Sequence, residues 1–380
     1  MCETIELLIN SYHRMNILII NPILYTCEGW NIPRVKSIKD TMIYNMCRGF
    51  KSLGHKVTLC ASKEFMPSDD EEYEFDVVWH RSSMKQLLPP PIPFSWELRR
   101  YLKHNRNHFD LIITSELFSF PSLFASLLCP EKTLVWHELA LHQRKFHQLP
   151  SKIWYNLIAQ WWQQKPLVVG RSKYARDFVR KYHRFTAAEC VEHGISLERF
   201  KIETEKDDSF VVVSQLIERK NIPSIIRKFK KLTDRKEYRH YRLYIIGRGP
   251  LEQELKKLAI EIDCSDRIIF TGFMGHEEMQ KYVGKAKALL IDTKQDNNMV
   301  SIPETIACGT PVVTNTIPTN AYIIEECGLG IVKDDWTDED LIEIINNTEA
   351  YTKHCVDYHE KLGSEYAAKS LIDIYMKYKR

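Results

Sequence analysis

The segment richest in chemistry is Ala288-Leu-Leu-Ile-Asp292, then Thr-Lys-Gln-Asp296-Asn-Asn298-Met299-Val300-Ser301, then Ile302-Pro303-Glu304-Thr-Ile-Ala-Cys-Gly309-Thr-Pro311. An apolar run feeds a polar loop. Pro303 stands where a helix begins without needing its N–H, and Gly309 closes that helix before the next apolar run. A helix start carries unsatisfied N–H groups and partial positive charge, so the loop through Asn298, Met299, Val300 and Ser301 suits a diphosphate held without a metal ion. Glu304, one turn in, is placed to accept hydrogen bonds from ribose hydroxyls. The bland alternative is a first-turn acid that only complements the helix dipole.

Further candidates lie elsewhere in the chain. Val211-Val-Val-Ser214-Gln215-Leu-Ile-Glu-Arg219-Lys220-Asn221 places two cations after an apolar run. Lys132-Thr-Leu-Val-Trp-His137-Glu138 ends a second run in a histidine and an acid. His137-Glu138-Leu-Ala-Leu-His142 is not a zinc motif, because its second histidine falls five residues on instead of four. No Asp-x-Asp stands at a strand end, so protein groups must meet any phosphate charge.

These residues resemble, in order, the signatures of the family-4 retaining glycosyltransferases (glycosyl transferases group 1). Asp296 and Glu304 fall at the two acidic positions of the E-x7-E element, followed by a version of A-x-G-x-P-V-V. The 214–221 stretch is similar to G-R-L-x-x-x-K-G, with Lys220 retained and Gln215 at the arginine position. Leu243-Tyr-Ile-Ile-Gly247-Arg248-Gly249-Pro250 resembles the G-x-G-P turn, and Phe270-Thr-Gly272-Phe273 the turn that contacts the nucleobase. In the front half, Gly54-His55-Lys-Val, the strand ending in His137, Val168-Val-Gly-Arg171-Ser172 and Glu192-His193-Gly194-Ile195-Ser196 match further motifs. Gly29-Trp30 is the nearest match to the family's first-loop Gly-Gly.

The resemblance implies a nucleotide-diphosphate sugar as donor, no cofactor and no metal. It implies retention, a glycan, polysaccharide or lipid-linked acceptor, and a role in polysaccharide biosynthesis. His137, Asp296 and Lys220 are the expected catalytic groups. Glu304, Gln215, Arg219, Gly272, Phe273, Asn298, Met299, Val300 and Ser301 are expected to bind the donor. Arg219 or Arg248 would supply the charge that Gln215 lacks.

Short aliphatic runs must carry these groups. The first set covers residues 17–20, 57–59, 77–79, 111–114, 133–136 and 167–169. The second covers 210–213, 243–246, 268–270, 288–291, 311–313 and 331–332. Uninterrupted runs separated by helical stretches indicate parallel strands covered on both faces, hence two doubly wound Rossmann-like sheets. Ligands of such sheets bind beyond the carboxyl ends of the strands. The α/β architecture expected is GT-B: residues 15–203 as an acceptor-binding domain facing 204–360, a nucleotide-sugar domain, across a cleft. The charged segment 201–208 reads as the hinge, 361–380 as a helix crossing back to the first domain, and 1–14 as a flexible extension.

Length and composition agree. A chain of 380 residues with 44% hydrophobic residues exceeds one ordinary core. A net charge of +3 argues against nucleic-acid binding. Ten cysteines without C-x-x-C spacing read as reduced thiols of a cytoplasmic protein. The apolar stretch 111–130 contains Glu116 and Pro121, and reads as strand, loop and helix instead of a membrane span. Basic aromatic segments at 96–106 and 173–184, the latter with Arg176, Arg180 and Arg184 at helical spacing, are solvated helix faces by default; the sharper reading is peripheral contact with anionic lipid at the inner face of a membrane. Two rival functions stand beside transfer: a nucleotide-sugar epimerase of the same fold, and a catalytically silent nucleotide-sugar-binding protein. A dinucleotide oxidoreductase is disfavoured because the first strand runs into Asn21-Pro22 instead of G-x-G-x-x-G.

Overall fold

The computed structural model describes residues 14–25, 32, 35–39, 41–69, 71–88, 92–143, 145–296 and 299–379. Asn298, the Gly29-Trp30 match and all but the last residue of the 1–14 extension lie outside these. Two compact units divide the chain.

The first unit comprises Met1–Ile195 and Gly363–Arg380. Its sheet runs β1 Asn16–Ile20, β2 Lys56–Ser62, β3 Asp76–His80, β4 Leu111–Ser115, β5 Thr133–His137, β6 Leu167–Gly170 and β7 Thr186–Cys190. All neighbours are parallel, in the order β3-β2-β1-β4-β5-β6-β7. Strand interiors such as Ile17, Leu18, Leu111, Ile112, Leu134 and Val135 are fully buried, because helices cover both faces. β7 has no counterpart among the expected strands. Its Thr-Ala-Ala-Glu-Cys sequence lacks the run of large aliphatic residues that marks a central strand, and it lies at the sheet edge.

Helix Met42–Ser52 turns Ile43, Met46, Cys47 and Phe50 onto one face of this sheet. Helix Ser364–Lys379 packs beside it with Ala367, Ala368, Leu371 and Tyr375. The C-terminal helix therefore belongs to the first unit. Close approach depends on missing side chains. A Cβ on Gly49 would lie 2.3 Å from the Ser364 carbonyl oxygen, and one on Gly194 would lie 2.2 Å from Ser364 Cα.

The second unit, Ser196–Leu362, is a six-stranded parallel sheet. It runs β8 Ser209–Val213, β9 Arg242–Ile246, β10 Ile268–Gly272, β11 Ala288–Leu290, β12 Val312–Thr314 and β13 Gly330–Val332, in the order β10-β9-β8-β11-β12-β13. Its core joins Phe210, Val212, Leu243, Ile245 and Leu290 to the apolar face of helix Ile222–Asp234, whose Ile222, Ile225, Ile226, Phe229 and Leu232 recur at helical spacing.

The expected hinge is not free chain. The Lys201 N–H reaches Gln280 Oε1 at 3.2 Å, and the Glu203 N–H reaches the Cys308 carbonyl at 3.0 Å. The Lys206 amine donates to Glu203 O, Gly284 O and Thr310 Oγ1 at 2.6, 2.6 and 2.9 Å. Burial lowers that amine's pKa to about 8. These bonds tie 201–206 to the second unit, whose boundaries fall at Ile195/Ser196 and Leu362/Gly363 instead of at 203/204 and 360/361.

Gly49→Ala and Gly194→Ala should each destabilise the first unit by about 1–3 kcal/mol, because backbone must shift to admit the methyl. Urea denaturation followed by tryptophan fluorescence checks this. Midpoints unchanged from wild type would contradict the close packing described.

Candidate functional site

The carboxyl edge of the second unit's sheet gathers most of the expected donor-binding residues. After β8 the chain passes Ser214 and the exposed Gln215, then makes a short turn at Glu218–Lys220 that presents Arg219 and Lys220. Asn221 follows at φ 50° and helix Ile222–Asp234 begins with Pro223 in its first turn. After β11 the chain forms the loop that carries Asp296. The two loops are tied by backbone: Thr293 Oγ1 and the Lys294 N–H both donate to the Arg219 carbonyl, at 2.9 and 2.7 Å.

That clasp brings the charges together. The Lys220 amine pairs with Asp296 Oδ2, and Arg219 Nη1 lies 3.2 Å from the same oxygen. Arg219 also donates to the Gln295 carbonyl at 3.0 Å. Lys220 and Asp296 are nearly enclosed, at 11% and 13% side-chain exposure, whereas Arg219 is 42% exposed. Two cations on one carboxylate form a positive centre that another anion would compete for.

The expected compensation for Gln215 is thus divided. Arg219 joins the Asp296 centre. Arg248 is exposed and lies against Gly272: a Cβ there, at φ 75°, would be 3.6 Å from Arg248 Nε. Gly247 is obligatory where β9 ends, since a Cβ would lie 1.8 Å from the Ser214 carbonyl oxygen. Phe273, beside Gly272, presents a 72% exposed ring.

Helix Ser301–Ala307 follows the Asp296 loop. The Met299 N–H is taken by Asn320 Oδ1 at 3.2 Å and the Ile302 N–H by the Met299 carbonyl at 3.2 Å. The N–H groups of Val300 and Ser301 have no acceptor among the described residues. Glu304 is 14% exposed on its side chain, with His276 Nδ1 at 3.8 Å. Burial raises its carboxyl to about 7, against the opposing charge of Arg199. Neither His276 nor Arg199 is marked by a motif; only the fold brings them to Glu304.

Sequence reasoning also missed a supporting pair. Asp292 accepts from Lys228 at 2.9 Å, and the Lys228 amine sits 4.0 Å over the ring of the fully buried Trp336. The Trp336 Nε1–H donates to the Ile291 carbonyl at 3.0 Å, fixing the start of the Asp296 loop.

In the first unit the expected catalytic histidine is placed differently from its sequence reading. His137 is 0% exposed, so its ring lies within packed protein instead of on an open surface. It stacks near Phe178, and its Nδ1 is 2.9 Å from Glu116 Oε2. Glu116, at φ 64°, also accepts from the Glu138 and Leu139 N–H groups at 2.8 and 3.3 Å. His137 therefore positions the loop after β5.

The neighbouring polar groups at this sheet edge form a network in which Arg171 and Ser172 are themselves buried. Arg171 lies 4.2 Å over Trp136, donates to Glu138 Oε2 at 2.8 Å and Ser115 Oγ at 3.1 Å, and faces His193 Nε2 at 2.9 Å. Burial pushes the Glu138 carboxyl up, but the His193 hydrogen bond and the Arg171 charge overcome it and bring it to about 2. Ser172, matched to a family motif, caps helix Lys173–Val179 through the Ala175 N–H. Arg176 and Arg180 of the expected basic stripe turn onto the carbonyls of Ala188 and Ala187.

The Glu304 environment has a stability signature. A carboxyl raised from 4.5 to about 7 holds its proton longer in the folded chain, so stability falls as pH rises between those values. Above pH 7 the ionised group destabilises the unliganded protein by roughly 3 kcal/mol. Glu304→Gln should therefore melt higher than wild type at pH 8, with the gap closing towards pH 4.5. A gap independent of pH would contradict the buried carboxylate.

Comparison with known proteins identifies the family and the fold. Residues 40–199 match the Glycosyltransferase Family 4 profile, and residues 195–362 match that of Glycosyl transferases group 1. Alpha-monoglucosyldiacylglycerol synthase of Streptococcus pneumoniae is 23% identical over 167 residues, 40% of this chain and 37% of that protein. The amylovoran biosynthesis glycosyltransferase AmsK of Erwinia amylovora is 29% identical over 150 residues, 35% of this chain and 36% of that protein. The chain thus spans well under half the length of these two relatives. Among solved structures, the lipopolysaccharide outer core galactosyltransferase WaaB superposes with TM-score 0.66 at 13% identity, covering 96% of this chain and 99% of WaaB. HepE of Anabaena, solved with UDP, gives 0.65 at 12% identity, covering 96% and 100%. With the two profiles falling in succession on two Rossmann-like sheets, and with a fold shared along nearly the whole chain, this protein belongs to the group 1 glycosyltransferases of the family 4 type and has the GT-B fold.

Proposed function

We propose that the chain is a retaining, metal-independent glycosyltransferase moving a sugar from a nucleoside diphosphate to a polysaccharide, lipid-linked or other glycan acceptor. The observation that carries this reading is the convergence of Lys220 and Arg219 on Asp296 at the carboxyl edge of the second unit's sheet. HepE, of the same fold, has been solved with UDP and with UDP-glucose, which makes uridine nucleotides the first probes. Two relatives are named for a glycolipid and for a bacterial polysaccharide, which supports acceptors of those classes.

On this reading the diphosphate takes Lys220 and Arg219 from Asp296, with the Val300 and Ser301 N–H groups and Asn298 adding donors. Glu304 accepts from the ribose hydroxyls, Phe273 and the Gly272 turn meet the base, and Gln215 contributes a neutral contact. Asp296, released from its cations, faces the donor sugar. As the bond from the anomeric carbon to the diphosphate oxygen breaks, negative charge grows on that oxygen and the two cations stabilise it. The acceptor hydroxyl attacks from the same face, and its proton passes to the departing diphosphate. His137 acts by holding Glu116 and the loop that carries Glu138. No metal is required, because protein cations meet the leaving charge, and the donor is a substrate instead of a cofactor. All eight described cysteines are free, which supports a cytoplasmic setting.

A radiolabelled UDP-sugar panel with glycan and glycolipid acceptors tests this. Wild type should give a glycoside that retains the donor's anomeric configuration, with EDTA without effect, and Lys220→Ala should lower kcat/KM about 100-fold or more. A free epimerised sugar would identify the epimerase alternative. Donor binding with neither transfer nor hydrolysis would identify a silent binding protein.

A further inference from the structure

The first unit carries an apolar surface that neither core nor donor chemistry explains. Residues 149–162 are continuously helical, as helix Leu149–Ile153, a π-helical stretch Trp154–Ala159 and a last turn Gln160–Trp162. Its inner side is fastened down: the Trp154 Nε1–H donates to the Leu117 carbonyl at 2.9 Å, and Gln163 Nε2 donates to the same carbonyl at 3.1 Å. Trp154, Tyr155 and Ala159 are buried.

The outer side is the reverse of an ordinary solvated face. Leu149, Ile153, Leu157 and Trp161 recur every fourth residue and are 59%, 46%, 55% and 77% exposed, with Trp162 beside them at 57%. Leu141, just ahead, is 69% exposed. Contiguous exposed apolar side chains at this density mark an interaction surface. The surrounding charge selects the partner. Between Glu138 and Asp177 the sequence holds seven lysines and arginines and no aspartate or glutamate. Of these, Lys152 within the helix and Lys165 just after it are exposed. Leucine and tryptophan on one face with lysines beside them suit the boundary between acyl chains and anionic headgroups. A second copy of the chain would bring like charges together. Among the described residues no helix is long and apolar enough to cross a membrane, so the contact would be peripheral.

We propose that the outward face of helix 149–162 seats the protein on a bilayer containing anionic lipid. The inference is independent of the donor chemistry: it replaces the Arg176–Arg180 stripe, whose guanidinium groups are taken up by the carbonyls of β7, with a different surface.

Co-sedimentation of the full chain with vesicles of equimolar phosphatidylcholine and phosphatidylglycerol, and of phosphatidylcholine alone, tests it. Wild type should bind the anionic vesicles, more weakly as salt is raised, and bind neutral ones at least about tenfold less. Trp161→Ser with Trp162→Ser, and separately Ile153→Ser with Leu157→Ser, should each lower binding about tenfold while leaving Tm and UDP affinity unchanged. These positions are solvent-exposed, so both variants should fold. Wild type left in the supernatant, equal binding to neutral vesicles, or unchanged binding by both variants would overturn the proposal. So would dimerisation seen by light scattering without vesicle binding and abolished by the same substitutions; it would assign the face to a second copy.

Discussion

One carboxylate holds two cations at the edge of the second sheet, and the rest of the site is arranged around that fact. Asp296 is nearly enclosed beside Lys220, in surroundings where an unpaired charge would be poorly solvated. Removing either partner alone therefore leaves a charge that the site must satisfy in another way. A diphosphate offers that alternative, since it brings more than one negative charge to the same pair. On the proposed function, Asp296 holds in place the two cations that a diphosphate would take.

Keeping that substitute in place requires a rigid frame, which the fold supplies at several levels. Parallel strands end in register, so the loops after β8 and β11 emerge side by side. The Arg219 carbonyl then receives two donors from the second loop, and Asp292, Lys228 and Trp336 fix where that loop starts. The first unit uses the same device at its own sheet edge. Glu116, in a strained left-handed conformation, gathers the His137 ring and two backbone N–H groups and so sets the position of Glu138.

Much of the fold was legible because buried parallel strands write themselves as unbroken aliphatic runs. Twelve of the strands follow from such runs, whereas β7, built from small and polar residues at an edge, does not. The 201–208 segment is largely exposed, as its charges suggest, but half-buried Lys206 meets three oxygen acceptors and ties it to the second unit. The helix 149–162 carries a pattern that sequence alone leaves open. Its apolar periodicity resembles a core face, and only the exposures reveal that Leu149, Ile153, Leu157 and Trp161 point outward. Lys220, Asp296 and Glu304 were singled out as candidates through the resemblance of their motifs. The partners that tune them, Arg219 at Asp296 and His276 and Arg199 at Glu304, depend on three-dimensional packing. His137 shows that a strand-end position does not by itself mean access: Tyr155, Phe178, Glu116 and the Leu117 N–H surround its ring.

The claim that Asp296 and a diphosphate compete for the same two cations is tested most directly by calorimetric titration of UDP into wild type and Asp296→Asn. Removing the carboxylate's charge should tighten UDP binding several-fold, since Lys220 and Arg219 no longer have to leave a partner. Weaker UDP binding by Asp296→Asn would contradict the exchange and assign Asp296 a direct part in holding the nucleotide.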